Sequence, residues 1–191
     1  MKYRLKLRKL RTAKCGWSFS RKRMRIFLIG FMGSGKTTVG ETIALKLGYS
    51  FIDMDRVIEE EAGMTISQIF DEKGEDEFRR MEHELILRLS EMQNIVVSTG
   101  GGVPCFYDNM DIINKCGISI YLKMTPEDLL NRLKGSRFER PLIRDLSTEE
   151  LEEYISKKLE EREPFYLKSK HAIDGTEPDI PGILNLLSED I

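Results

Sequence analysis

The chain has 191 residues, of which 40% are hydrophobic and 32% are charged, and its formal net charge at pH 7 is −2. A chain of this length can bury one core of its own, so we expect one domain. The composition is that of an ordinary soluble globular protein, and no apolar run approaches the ~18 residues of a membrane span, which argues against a membrane protein.

The first 25 residues contain eleven of the 30 Lys and Arg residues and no Asp or Glu, whereas the rest of the chain has 19 basic and 32 acidic residues. A basic segment of this kind is typical of a nucleic-acid arm, a transit sequence or a disordered extension. Because Met24 directly precedes the first predicted strand, an inert tail or an upstream-start artefact is also possible. We predict a basic extension over residues 1–23 and a domain over 24–191.

Short apolar runs alternate along the chain with longer amphipathic ones. Strands are predicted at Arg25–Ile29, Ser50–Asp53, Ile95–Ser98, 118–122 and 172–174, and their near-continuous apolar character is typical of parallel strands covered on both faces. Helices are predicted at Lys36–Leu47, 75–92 and 126–133. A capping box at Ser147 starts a further helix that Pro164 ends or kinks. The alternation predicts helices on both sides of a five-stranded parallel sheet.

The first strand is followed by GFMGSGKT at residues 30–37, which satisfies the pattern GxxxxGK[ST] between a strand and a helix. Glycines let successive N–H groups point at phosphate oxygens, and the helix N-terminus adds partial positive charge. Lys36 would reach the β- and γ-phosphates, and the Thr37 hydroxyl would bind Mg²⁺. The pattern predicts a nucleoside triphosphate site in a P-loop NTPase-type three-layer sandwich.

The guanine-reading motif NKxD, expected of a GTPase, is incomplete here. Residues 114–117 read Asn-Lys-Cys-Gly and lack the aspartate. Together with the small size of the chain, this favours a small-molecule kinase.

Several further motifs resemble those of the shikimate kinase family, and the resemblance runs from about Met24 to the C-terminus. Each motif is weak alone, and the specificity comes from their occurrence in order. In addition to the phosphate loop they are Asp53-Met54-Asp55, Gly74-Glu75-x2-Phe78-Arg79-x2-Glu82, Gly100-Gly101-Gly102, Arg140-Pro141-Leu142 and Arg162-x-Pro164-x-Tyr166.

The resemblance implies transfer of the ATP γ-phosphate to the 3-hydroxyl of shikimate, in chorismate and aromatic amino acid biosynthesis. It implies catalytic roles for Lys36, Asp55 and Arg140, with Arg140 on a mobile lid at about 134–146. Mg²⁺ would be held by Thr37 and, through water, by Asp53. The implied ATP-binding residues are Gly33, Ser34, Gly35, Lys36, Thr37, Thr38, Arg132 and Arg140. The implied substrate-binding residues are Asp55, Arg79, Gly100, Gly101, Gly102 and Arg162.

The chemistry of these residue types fits those roles. Planar guanidinium groups suit the carboxylate of shikimate, and a carboxylate at the carboxyl end of a parallel strand suits an acceptor hydroxyl. Glu82 lies three residues after Arg79 and can brace its guanidinium. Phe70 and Phe78 would flank the ring of the substrate. His83, His171 and Cys105 have no partners at suitable spacing and are assigned no chemistry.

Plainer interpretations stay open for several of these residues. Asp53 could cap the following helix, the three glycines could form an ordinary tight turn, and each arginine could be a surface ion-pair partner. The rival activity is that of another small kinase, of the gluconate or nucleotide type. The rival from another class is nucleic-acid binding by the leader, although the acidic remainder makes nucleic acid an unlikely partner for the domain. We expect a cytoplasmic monomer with shikimate and ATP as small-molecule partners.

The three cysteines, Cys15, Cys105 and Cys116, are an odd number without CxxC spacing. They predict reduced, structural thiols and indicate neither a disulfide framework nor a zinc site.

Overall fold

A computed structural model describes residues 24–134 and 146–189. Its sheet has five strands: β1 (Arg25–Ile29), β2 (Ser50–Asp53), β3 (Ile95–Ser98), β4 (Ile118–Lys123) and β5 (His171–Asp174). The strands are all parallel and lie in the order β2-β3-β1-β4-β5. The central strand, β1, thus pairs with β3 on one side and β4 on the other, and ligands of open α/β sheets bind at such a reversal of strand order.

Seven helices are described in these residues, together with a 3₁₀ turn at Val103–Cys105. The helices are α1 (Lys36–Leu47), α2 (Met54–Ala62), α3 (Ile66–Ser90), α4 (Asn109–Cys116), α5 (Pro126–Lys134), α6 (Thr148–Tyr166) and α7 (Ile180–Glu189). In these ranges, none of the helices has the length and apolar character that crossing a bilayer requires.

Alternate residues of β1 face opposite sides of the sheet, as a strand requires. Ile26 and Leu28 belong to a buried cluster that includes residues of α1 and α7. Phe27 and Ile29 belong to a second, larger cluster that includes residues of α2 to α6. The predicted three-layer sandwich with a covered, five-stranded parallel sheet is therefore confirmed.

Most predicted elements agree with the structure. The first three strands have the predicted bounds, the fourth is one residue longer and the fifth starts one residue earlier. Helix α1 has the predicted bounds and ends at Gly48, which is in the left-handed conformation with φ 69°. The capping box at Ser147 is present at the start of α6.

Other predictions need correction. The helix predicted at 75–92 is the second part of α3 and ends at Ser90. A first part, which begins at Ile66 with a capping box formed by Thr65 and Gln68, precedes it across a kink at Gly74, whose φ is 83°. Pro164 does not end α6, which continues to Tyr166 because the N–H of Leu167 still bonds the carbonyl of Glu163 at 2.9 Å. Helices α2, α4 and α7 were not predicted. The basic extension 1–23 and most of the lid, including Arg137 and Arg140, lie outside the described residues.

Candidate active site

The phosphate loop joins β1 to α1 at the carboxyl end of the sheet. Gly33 and Gly35 have φ values of 83° and 90°, which residues with a Cβ rarely adopt. Lys36 is 8% exposed, and its Nζ donates to the carbonyl oxygens of Gly30 at 2.9 Å and Phe31 at 2.8 Å. The lysine side chain is thus held against the loop, and the loop leads directly into the N-terminus of the 12-residue helix α1. This arrangement suits an anion such as a triphosphate.

Thr37 and Asp53 meet beside this loop. The Thr37 hydroxyl donates to Oδ2 of Asp53 at 2.9 Å, and Oδ1 of Asp53 accepts from the N–H of Arg56 at 3.5 Å. Asp53 is the N-cap of α2, so its interpretation as a helix cap is confirmed. One carboxylate oxygen makes the cap, and the other accepts from Thr37. A hydroxyl and a carboxylate are hard oxygen donors, and this pair fits Mg²⁺.

The acceptor side of the site is a cavity of about 560 Å³. Met32 of the phosphate loop lines it, so the cavity adjoins the predicted nucleotide site. Its polar wall includes Asp55, Arg79, Glu82, Arg162 and the glycine turn, which we define as Gly100–Gly102, together with Glu59, Thr65, Ser67 and Asp71 toward α2 and α3. Phe70 and Phe78 supply apolar wall. The volume is in the range of small-molecule sites.

Arg79 enters this cavity from α3 and is only 7% exposed. Its Nη1 donates to Glu82 at 2.6 Å, and its Nη2 donates to Glu75 at 2.8 Å. The guanidinium carbon lies 4.3 Å from the centre of the Phe106 ring and 5.1 Å from that of Phe78. The brace by Glu82 agrees with prediction. Phe78 lines the cavity, and its contact with the substrate ring stays a prediction. Arg79 does form ion pairs: the pair with Glu82 is buried in the cavity wall, whereas Glu75 is exposed and lies outside the cavity lining.

Charge and burial oppose each other around Glu82, which is 1% exposed. Burial raises the pKa of Glu82 to about 7, against the pull of the Arg79 and Arg162 charges, and Asp55 adds to the rise. Burial alone would lower the pKa of Arg79, but the Glu82 and Glu75 carboxylates raise it. The guanidinium is therefore charged while it faces the cavity.

The remaining predicted substrate residues lie around the glycine turn. A Cβ at Gly100 would lie 2.7 Å from Oε1 of Glu82 and 2.9 Å from Oδ1 of Asp55. A Cβ at Gly101 would be 3.4 Å from Nη1 of Arg162, and one at Gly102 would collide with Nη1 of Arg79. The turn therefore lies against two carboxylates and two guanidinium groups from three separate parts of the sequence.

Arg132 and Thr38 lie on the nucleotide side. Arg132 donates to the carbonyl oxygen of Ser34 in the phosphate loop at 3.3 Å and to those of Gly175 and Thr176 at 2.8 and 2.6 Å. Thr38 is exposed in the first turn of α1. Both positions are compatible with the predicted contacts to ATP, which stay predictions.

Sequence reasoning gave no role to three residues of this site. Glu75 stands one helical turn before Arg79, a spacing at which ion pairs form, so a local signal existed. Phe106 and Tyr166 contact the site through tertiary packing. The Tyr166 hydroxyl donates to the carbonyl oxygen of Gly101 at 2.6 Å, and neither contact could be read from spacing.

A phosphate loop at the reversal of strand order, with Asp55 and two guanidinium groups among the residues that line the adjoining cavity, defines an ATP-dependent P-loop phosphotransferase of small molecules. A sequence model of shikimate kinase matches residues 32–187. The chain is 46% identical over 153 residues to the shikimate kinase of Phocaeicola vulgatus, with coverage of 80% of this chain and 87% of that protein. It is 44% identical to that of Parabacteroides distasonis, with coverage of 85% and 96%. The chain belongs to the shikimate kinase family.

Solved structures agree with this assignment. The fold matches a crystal structure of shikimate kinase from Bacteroides thetaiotaomicron with a TM-score of 0.82 and 39% identity, over 88% of this chain and 98% of that one. Shikimate kinase from Acinetobacter baumannii in complex with shikimate matches with a TM-score of 0.79 and 32% identity, over 88% and 94%. A gluconokinase from Sinorhizobium meliloti, at 21% identity and a TM-score of 0.58, shares the fold.

Proposed function

We propose that this chain transfers the γ-phosphoryl group of ATP to the 3-hydroxyl of shikimate, giving shikimate 3-phosphate and ADP on the route to chorismate and the aromatic amino acids. The observation that carries the proposal is the convergence of Asp55, Arg79 and Arg162 on the cavity beside the phosphate loop. Two guanidinium groups suit one carboxylate, and a carboxylate suits a hydroxyl group.

In this proposal the backbone of the phosphate loop and Lys36 hold the triphosphate. Arg79 and Arg162 hold the carboxylate of the acceptor, and the glycine turn allows close contact with its ring. Asp55 orients the acceptor hydroxyl toward the γ-phosphate and accepts its proton as the new bond forms. Because phosphoryl transfer passes through a loose transition state, positioning and charge neutralisation supply most of the acceleration.

Thr37, directly, and Asp53, through water, would hold Mg²⁺ bound with ATP. The ion would neutralise charge on the β- and γ-phosphates. Arg132 would contact the adenine, and Arg140 would reach the transferring phosphate from the lid. Charge that arrives only on closure would stabilise the transition state and keep water out, which limits ATP hydrolysis.

We further propose a cytoplasmic monomer in which the kinase domain spans residues 24–191 and the basic extension 1–23 is dispensable for catalysis. The acidic balance of the domain supports small-molecule partners over nucleic acid.

A coupled assay of ADP release over a panel of acceptors tests the proposed activity. Shikimate should support turnover, whereas gluconate and nucleoside monophosphates should not, because they lack the carboxylated ring that the two arginines match. A protein that binds MgATP but gives no ADP with shikimate would contradict the acceptor assignment. A protein that fails to bind ATP would contradict the nucleotide site as well.

A further inference from the structure

The two arginines of the acceptor site share an arrangement on their helices. Arg79 on α3 is followed one turn later by His83, and Arg162 on α6 is followed one turn later by Tyr166. In each case the His or Tyr four residues after the arginine takes part in hydrogen bonds that lead to the backbone of the glycine turn or of Val103, the residue directly after it. The segment is thereby tied to both helices that carry guanidinium groups.

The contact from α6 is direct. The Tyr166 hydroxyl donates to the carbonyl oxygen of Gly101 at 2.6 Å, and the Tyr166 side chain is fully buried. The ring also lies 5.2 Å, centre to centre, from that of Tyr121 on β4, which fixes its orientation. A hydrogen bond between a buried, packed phenol and a backbone oxygen holds α6 at a fixed distance from the middle glycine.

The contact from α3 runs through Asn109, which is fully buried at the start of α4. Its Nδ2 donates to the carbonyl oxygen of Val103 at 2.9 Å, directly after the glycine turn, and its Oδ1 lies 2.7 Å from Nδ1 of His83. A carbonyl oxygen can only accept, so the amide nitrogen must face Val103. The amide oxygen then faces His83, whose Nδ1 must carry the hydrogen.

This orientation makes the contact insensitive to the charge of His83, because Nδ1 carries a hydrogen in both this neutral tautomer and the protonated ring. The His83 ring also lies 4.8 Å from that of Tyr107, and its Nδ1 is 4.0 Å from Oδ1 of Asp108. His83 therefore contacts Tyr107 and Asp108, which belong to the same loop between Val103 and Asn109.

We propose that Asn109, with His83, and Tyr166 are positioning residues that set the spacing of the Arg79 and Arg162 guanidinium groups across the glycine turn, and so set the affinity for the carboxylated acceptor. The proposal rests on the proposed function, since it concerns how the same site recognises its substrate. None of these three residues lines the cavity. Asn109 acts through the backbone of Val103, and Tyr166 acts through that of Gly101 and through a direct side-chain hydrogen bond with Arg162.

Steady-state kinetics with each substrate varied in turn distinguish positioning from general stability. Asn109→Ala and Tyr166→Phe should each raise the KM for shikimate by about tenfold, because small displacements of a binding group weaken substrate alignment strongly. The KM for ATP should rise less than the KM for shikimate. A Cβ at Gly101 would lie 3.6 Å from Gly30 and Met32 of the phosphate loop, but Lys36 is held by its own hydrogen bonds to Gly30 and Phe31. The fall in kcat should also be smaller than the rise in the KM for shikimate. Loss of stability alone would not move the KM values of the two substrates apart.

Asn114→Ala is the matched control. Asn114 lies on the same helix and its Nδ2 also donates to a backbone carbonyl, that of Lys168 at 2.8 Å, but this contact is outside the acceptor cavity. The control should keep wild-type KM values for both substrates. Tyr166→Phe removes one oxygen atom and keeps the ring, so it gives a result even where Asn109→Ala does not fold.

Three results would overturn the proposal. One is a KM for shikimate within about twofold of wild type in both variants, and another is an equal rise in Asn114→Ala. The third is an equal rise in the KM for ATP. Wild-type protein in the same assay separates failure of the positioning role from failure of the proposed function. If wild type does not turn over shikimate, both are wrong. If wild type turns over shikimate and the KM for shikimate is unchanged in the variants, only the positioning role is wrong.

Discussion

The hydroxyl of Thr37 donates a hydrogen bond to the carboxylate of Asp53 at 2.9 Å, across the gap between the first turn of α1 and the end of β2. The same carboxylate caps α2 through the N–H of Arg56. Asp53 therefore combines a local structural role with a proposed role at the metal, and a single substitution can separate the two.

Asp53→Asn should raise the Mg²⁺ concentration for half-maximal activity by about tenfold, because loss of an outer partner of a metal site typically costs that much. The melting temperature should change little, since Asn caps a helix as well as Asp does. A titration of Mg²⁺ at saturating ATP measures the first effect.

Asp53→Ala is the comparison for the capping role. It should show the same rise in Mg²⁺ requirement and, in addition, a loss of about 1 kcal/mol in the free energy of unfolding, as expected when a cap is removed. An unchanged Mg²⁺ requirement in both variants would remove Asp53 from the metal site.

Asp55→Asn should lower kcat by about a hundredfold or more while the Kd for ATP stays near the wild-type value. The amide keeps the size of the side chain but cannot accept the proton of the acceptor hydroxyl, and general-base roles are typically of this magnitude. Single-turnover rates and calorimetry with ATP measure the two quantities separately. Asp111→Asn, an exposed carboxylate outside the cavity, serves as the control. Near-native kcat in Asp55→Asn would rule out the proposed role.

Gly101 and Gly102 of the turn should differ in their tolerance of a methyl group. At Gly101 an added Cβ would be 3.4 Å from Arg162, an ordinary contact, whereas at Gly102 it would collide with the Arg79 guanidinium. Gly102→Ala should therefore raise the KM for shikimate by about tenfold or more, since Arg79 must move. Gly101→Ala should have a much smaller effect on the same constant. Equal effects of the two substitutions would mean that the turn does not position Arg79.

The fold was readable from the sequence because its three inner strands, β1, β3 and β4, are buried on both faces and appear as short apolar runs. Apolar runs also placed β2 within its observed bounds, although β2 is an edge strand and only partly buried. Helix α2 was missed because it begins directly at the end of β2, with no loop between them. The start of α3 was missed although Thr65 and Gln68 have capping-box spacing, because Gly74 interrupts the helical pattern.

The site was readable only in part. The phosphate loop is local, so its pattern and context identified Lys36 and Thr37 directly. Arg79 and Arg162 are 83 positions apart, and no periodicity predicts that both contact one cavity. The family resemblance supplied that pairing. The buried tethers at Asn109 and Tyr166 depend on tertiary contacts, which have no signature in spacing.

The stability of the protein should depend on pH through the titration of Glu82. Burial raises the pKa of this carboxyl group to about 7 in the folded protein, from the model-compound value of 4.5. Between these values the unfolded chain has released the proton while the folded protein still holds it. The unfolded state then binds fewer protons, so the free energy of unfolding falls as the pH rises through this interval. Glu82 contributes its full stability below about pH 4.5 and loses it as the pH rises through about 7.

Glu82→Gln removes this titration. The variant should be destabilised at pH 5, where the wild-type carboxyl group is protonated and fits its buried site. Between pH 5 and 8 the difference in unfolding free energy should move in favour of the variant by about 3 kcal/mol, the value of a shift of this size. Urea denaturation of wild type and Glu82→Gln across this pH range measures the difference in their unfolding free energies. Groups that titrate alike in the two proteins cancel in this difference. A difference that stays constant with pH would show that Glu82 is already ionised at pH 5, in which case its charge is stabilised by Arg79 strongly enough to offset the cost of burial.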